Sequence, residues 1–261
     1  MADAPGQGAV HLALENGIAS VTFDRPEARN ALTWPMYERL REVCEQLRDD
    51  ASVRAVRFQG TGAEAFVAGT DIAQFQDFTG EDGVQYERRI DATIGLIASL
   101  PMPTVAAVQG WCIGGGLAIA SACDFRIATP QAKFGVPIAR TLGNCLSAGN
   151  VAGLVAAFGR PRVQRLLLLA DLIDVDEAHA CGYVLEIVPN GNIDAAARKL
   201  CGRLAVLAPV TQQVSKETLQ RLLKHSLPDT EDLIRRTYGS EDFREGVQAF
   251  LAKRPPAWKG R

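Results

Sequence analysis

The chain has 261 residues, 47% of them hydrophobic, with 28 basic and 30 acidic side chains and a formal net charge of −2. That size supports one large domain, or one domain with an appended subdomain. The near-neutral balance argues against nucleic acid as the main partner, because no basic surplus is there to neutralise phosphates.

Further absences narrow the reading. Six cysteines (Cys44, Cys112, Cys123, Cys145, Cys181, Cys201) show no CxxC spacing and read as reduced, buried small hydrophobes of a cytoplasmic protein. His11, His179 and His225 lie far apart without metal-ligand spacing, so no metal is expected. The segment 1–8 is short and polar, and no apolar run reaches the length of a membrane span, so no membrane partner is expected.

In chain order, residues 10–14 and 18–23 are β-rich runs around Glu15-Asn16-Gly17, a hairpin signal. Thr33 can cap a helix that has Pro35 in its first turn and Met36, Leu40, Val43 and Leu47 on one stripe. Residues 53–58 read as the next strand and 66–70 as a short one that breaks at Gly69. The stretch 86–100 reads as a helix closed by Pro101 and Pro103. Strand 104–108, the glycines 114–116, a helix over 117–123 and strand 125–128 come next. Alternation of this kind implies an α/β arrangement with parallel strands and crossovers. Beyond residue 190 the pattern is wholly helical, over about 193–206, 210–224, 229–238 and 241–253. The division is therefore 1–190 for a catalytic core and 191–261 for a helical region, suited either to oligomerisation or a lid, or to plain packing within the chain.

Two segments carry chemistry. Gly114, Gly115 and Gly116 sit between a strand and a helix of small apolar residues, where free N–H groups at a helix start would favour negative charge. A second turn, Ala68-Gly69-Thr70-Asp71-Ile72, could aim the Thr70 amide outward. Each alone is also compatible with an ordinary tight turn. Together, at the ends of neighbouring parallel strands, they would make an oxyanion hole.

In these residues the chain resembles the crotonase superfamily of enoyl-CoA hydratases and isomerases. The resemblance runs through residues 18–26 with 30–32, 65–72, 108–124, 132–137, 240–246, 250–254 and 258–261. It implies a crotonase-like spiral of ββα units with a C-terminal helical region that trimerises. It implies a CoA thioester as substrate, no permanently bound cofactor, and a homotrimer or a hexamer made of two trimers. The amides of Thr70 and Gly115 would hold the thioester oxygen. Arg25, Ala68, Gly69, Asp71, Ile72, Trp111 and Gly114 would line the CoA and acyl sites, and Phe250 and Lys253 would reach a neighbouring subunit's CoA.

One departure from the family pattern bears on the reaction. The family's two hydratase glutamates fall at Ala118 and Ile138, neither of which can move a proton. Crotonyl-CoA hydration is therefore expected to be weak or nil. Isomerisation, decarboxylation, thioester hydrolysis or binding without turnover stay open. Replacement groups include Arg140 for a substrate carboxylate, Asn144 for a water or a carbonyl, and Glu87 or Tyr86 for proton transfer. Cys145 would be a nucleophile only with a lowered pKa. For each, a structural or surface role is the plain alternative.

Overall fold

In the computed structural model, residues 7–225 and 227–260 are described. Most of the polar 1–8 segment and Arg261 of the closing motif therefore lie outside the described residues. The hairpin forms where its turn residues require it. β1 (Ala9–Glu15) and β2 (Ile18–Asp24) pair antiparallel across Asn16 and Gly17, both with positive φ. α1 (Trp34–Asp49) is capped by the Thr33 hydroxyl, which accepts from Met36 N at 3.4 Å.

The chain then repeats one move. β3 (Ala55–Gly60) and β4 (Ala65–Val67) are followed by α2 (Gly80–Ser99). β5 (Thr104–Val108) and β6 (Trp111–Ile113) are followed by α3 (Gly115–Ala122). β7 (Phe125–Ala128) and β8 (Lys133–Gly135) are followed by α4 (Ile138–Thr141). In each unit the first strand joins one sheet and the second strand joins another. The remainder is α5 (Ala148–Phe158), α6 (Arg160–Leu168), β9 (Leu172–Asp174), α7 (Val175–Ala180), β10 (Glu186–Ile187), α8 (Ile193–Ala205), α9 (Pro209–Lys224), α10 (Glu231–Tyr238) and α11 (Glu241–Leu251).

Among the described residues the large sheet has the order β1-β2-β3-β5-β7-β10, parallel except for the first pair. The small sheet has the order β4-β6-β8-β9, with only β8 and β9 antiparallel. β5 is buried at every position, as a parallel strand covered on both faces must be. One face of the large sheet meets the main core, and the other meets Ile193, Ala197, Leu200, Cys201 and Leu204 of α8. Parallel pairing in the small sheet brings the C-terminal ends of β4, β6 and β8 side by side. The segments that leave those ends, starting at Ala68, Gly114 and Val136, therefore emerge together.

Most expected elements shift by two or three residues, as β4 does in ending at Val67 where the sequence reading runs to residue 70, but two departures are larger. α2 begins at Gly80, because Thr79 and Asp82 form a reciprocal capping box that overrides the glycines of its first turn. Residues 111–113 form a strand, held on both sides by β4 and β8, that their sequence did not announce. At the C-terminus, α10 and α11 pack onto their own chain, with Tyr238 and Phe243 fully buried against Phe75 and Phe78. α9 instead leaves Val210, Val214, Leu219 and Leu222 exposed.

Candidate active site

A cleft of about 820 Å³ opens at the C-terminal ends of the small sheet's parallel strands. The fold brings the two bends together there. Gly69 and Gly114 both hold positive φ (112° and 54°), which an L side chain rarely adopts. A Cβ built at Gly114 would lie 3.7 Å from Gly69 Cα, and one at Gly115 would lie 3.4 Å from Thr70 Oγ1. Gly116 is required for another reason: a Cβ there would sit 2.1 Å from the carbonyl oxygen of Val67, so α3 could not approach β4.

The amides in these bends divide into two sets. Ala68 N donates to Arg29 O, Asp71 N to Leu32 O, and Gly114 N to Gly135 O, which pins both bends to the frame. Among the described residues neither Thr70 N nor Gly115 N donates to a protein acceptor. Gly115 is the first residue of α3, where an N–H has no helical partner.

The Thr70 side chain is fixed from two sides. Its Oγ1 lies 2.8 Å from the Tyr37 hydroxyl and 3.1 Å from the Tyr86 hydroxyl. Burial pushes the Tyr37 phenol up to about 12 and Tyr86 well above its ordinary value, so both stay protonated at neutral pH. Tyr37 and the hydroxyl it contributes were not evident in the sequence, where it falls among the apolar positions of α1. A buried tyrosine must place its hydroxyl on a partner, and here that partner is Thr70.

One carboxylate reaches the cleft from deep inside. Glu87 on α2 is 2% exposed. Its Oε1 accepts from Tyr238 Oη at 2.7 Å and its Oε2 from Ser147 N at 3.1 Å. Burial, aided by nearby Asp91, outweighs these bonds and lifts Glu87 to about 7. Asn144 Nδ2 donates to Tyr238 Oη at 3.2 Å, while buried Asn144 Oδ1 has no partner among the described residues. Nothing in residue spacing announced Tyr238 or Ser147, which come from distant parts of the chain.

The other sequence-nominated residues divide clearly. Arg25, Ala68, Gly69, Asp71, Ile72, Gly114, Asn144, Phe250 and Lys253 all line the cleft. Arg25 Nη1 pairs with Asp71 at 2.9 Å. Phe250 and Lys253, which the resemblance directed at a neighbouring subunit, line the cleft of their own chain. Trp111 does not line it: it stands 37% exposed where β6 begins, at the opposite end of that strand from the glycines. Arg140 does not line it either, because α4 turns it to solvent. Cys145 is no activated nucleophile, since burial pushes its thiol up to about 11. Asp124 bonds Thr104 and Lys216 in the frame. Ala118 and Ile138 do line the cleft, as apolar surface.

The family model for enoyl-CoA hydratase/isomerase matches residues 13–261. A probable enoyl-CoA hydratase, echA8 of Mycobacterium bovis, is 32% identical over 248 residues, covering 94% of this chain and 95% of the relative. The crystal structure of an enoyl-CoA hydratase/carnithine racemase from Magnetospirillum magneticum is 32% identical, with TM-score 0.78 over 97% of this chain and 96% of that one. A methylmalonyl-CoA decarboxylase complexed with 2S-carboxypropyl-CoA is 25% identical, with TM-score 0.88 over 97% of this chain and 98% of that one. The fold is the crotonase fold, and the chain belongs to the enoyl-CoA hydratase/isomerase family of acyl-CoA enzymes.

Proposed function

We propose that this enzyme seats the carbonyl oxygen of a CoA thioester on the Thr70 and Gly115 amides and stabilises the enolate that forms there, with Glu87 as the group that moves the proton. The observation that carries this reading is the adjacency of two pinned bends whose Thr70 and Gly115 amides have no protein acceptor among the described residues. Amides aimed in advance at a developing oxyanion stabilise it without reorganisation. A carboxyl held near neutral pH can both accept and return a proton. With Ala118 and Ile138 in place of the hydratase glutamates, no pair of groups is there to activate and add water. The reaction is therefore an isomerisation, in which one carboxylate carries a proton between two carbons of the acyl group. Crotonyl-CoA hydration is weak or nil.

A decarboxylation is the second reading. It is favoured by the apolar surface at Ala118 and Ile138, which would destabilise a substrate carboxylate, and by the likeness to the methylmalonyl-CoA decarboxylase. Loss of CO₂ would then generate the enolate directly. The oligomerisation role of residues 191–261 belongs to the proposal as well, supported by the exposed apolar side chains of α9 and testable by sedimentation as a homotrimer or hexamer.

The test is incubation with a panel of CoA thioesters in D₂O, read by mass spectrometry. Deuterium at the α-carbon with a shifted double bond supports isomerisation, whereas CO₂ release from a carboxyacyl-CoA supports the second reading. Ordinary hydratase turnover on short enoyl-CoAs, or no exchange on any ester, overturns the assignment.

A further inference from the structure

Three hydroxyls from distant parts of the chain meet beside the paired bends. Thr70 Oγ1 lies 2.8 Å from Tyr37 Oη of α1 and 3.1 Å from Tyr86 Oη of α2. Both tyrosines are buried, and their rings are held in turn. Trp34 packs against both, with centroids 6.1 and 5.6 Å away, and Phe75 meets Tyr86 edge-on at 4.9 Å. The Tyr37 hydroxyl has a second neighbour. A Cβ built at Gly115 would stand 2.6 Å from it, so this oxygen occupies the space that a side chain would take there. One oxygen thus abuts both residues whose amides have no protein acceptor among the described residues. Each of those amides shares its peptide plane with a carbonyl that is already tied down. Gly69 O accepts from Leu32 N at 2.9 Å, and Gly114 O accepts from Ala118 N at 3.0 Å. In a planar trans peptide, holding the oxygen sets the line of the N–H on the other side but leaves the plane free to rock about that line. A second anchor beyond the nitrogen removes that freedom. At Thr70 the anchor is the side-chain hydroxyl, and at Gly115, which has no side chain, it is the contact with Tyr37.

We propose that Tyr37 is a positioning residue for enolate stabilisation: its hydroxyl, bonded to Thr70 Oγ1 and lodged against Gly115, sets the spacing and aim of the two amides, and Tyr86 adds a second bond to Thr70. The inference rests on the seating of the thioester oxygen at Thr70 and Gly115, and deepens it by naming what holds those donors in place. Preorganised donors lower a barrier only while they stay aimed at the place where charge develops. A loss of aim is felt in the transition state more than in the bound ester, and a displacement on the order of 1 Å is enough to cost about 10²-fold in rate. All three groups are neutral at working pH, because burial keeps both phenols protonated, so the brace holds unchanged while Glu87 titrates.

The test uses butanoyl-CoA labelled with ¹³C at the thioester carbonyl, in the wild-type chain, Tyr37→Phe, Thr70→Val and Thr70→Ser. The infrared stretch of the bound carbonyl reports how strongly the two amides polarise it, and α-deuterium exchange in D₂O at saturating ester reports the enolate. In the wild-type chain the stretch should fall to lower frequency on binding. In Tyr37→Phe and in Thr70→Val that displacement should shrink, and exchange should slow about 10–10²-fold. Isothermal titration should find ester affinity within about twofold of wild type in both, because the loss falls on the transition state. Thr70→Ser keeps the hydroxyl and should restore the displacement and the exchange rate. Combining Tyr37→Phe with Thr70→Val should slow exchange little more than either change alone, because both remove the same bond. An unchanged displacement and exchange rate in Tyr37→Phe and Thr70→Val overturn the positioning role and leave the two amides as donors. Thr70→Ser as impaired as Thr70→Val overturns it too, as does loss of ester binding in Tyr37→Phe and Thr70→Val, which would assign the hydroxyls to the shape of the cleft. No displacement in the wild-type chain removes the thioester placement itself.

Discussion

The cleft has two sides built on different principles. On one side, Thr70 and Gly115 present main-chain groups, and their positions derive from where β4 and β6 end. On the other, Glu87, Tyr238, Asn144 and Ser147 present side chains and an amide drawn from α2, α10 and the segment before α5. The backbone side cannot change without breaking the small sheet. The side-chain side can be rebuilt, and under the proposed reading the acid/base work falls to Glu87 of α2 while Ala118 and Ile138 are apolar. The comparison teaches that main-chain groups set by strand ends are fixed by the frame, whereas the side chains facing them come from elements that can vary independently.

The sharpest way to break this comparison is Glu87→Gln. If Glu87 moves the proton, α-deuterium exchange should fall about 10²–10⁴-fold, the range for losing a general acid–base group. The wild-type exchange rate should rise with pH through about 7 as Glu87 ionises and then level off, whereas residual exchange in the variant should lack that rise. Full exchange in Glu87→Gln would assign the base elsewhere. Next in size, Gly115→Pro removes one N–H at the first helix position; because a Cβ there would lie 2.6 Å from the Tyr37 hydroxyl, it is made in a Tyr37→Phe background and should slow exchange about 10²–10³-fold relative to Tyr37→Phe alone. Unchanged exchange there would mean that the oxygen sits on other donors.

Tyr238→Phe sharpens the comparison on the side-chain side. Removing the hydroxyl takes away a hydrogen bond that holds Glu87 down, so the midpoint of the exchange profile should move above 7. It also leaves Asn144 Nδ2 without its acceptor, and stability should drop by about 1–3 kcal/mol in urea unfolding. The smallest expected effect concerns stability alone. A carboxyl whose folded pKa is raised binds its proton more tightly in the native state than in the unfolded one. Glu87 therefore contributes stability that is fully present below its ordinary pKa near 4.5 and is lost as pH rises to about 7. The difference in urea midpoint between the wild type and Glu87→Gln should change with pH across that window. A constant difference would place Glu87 in ordinary solvent contact.

Much of the frame was legible because local chemistry and tertiary packing agree. Asn16-Gly17 closes the hairpin, Thr33 caps α1, and the four C-terminal helices fall within two or three residues of their expected bounds. Misreadings arose where a distant partner decides. The start of α2 was hidden by glycines that a capping box overrides. Trp111 lies next to the glycine segment in sequence, yet a strand carries it to the other end of the small sheet. Arg140 comes directly after the apolar site segment but turns outward on the short α4. Polar residues between 81 and 91 look alike in sequence. The fold makes Glu81 an exposed partner of Arg235 and Asp82 a cap, and sends Glu87 inside.

By itself the sequence determined the alternation of strands and helices, the two glycine-containing bends, and the lack of a carboxylate at residues 118 and 138. These are local properties, set by backbone freedom, periodicity and side-chain type. Only the tertiary structure decided that Gly69 and Gly114 stand against each other and that Tyr238 reaches Glu87 across 151 positions. Such facts depend on which distant surfaces pack together, and burial, which raises the Glu87 carboxyl, is a property of that packing.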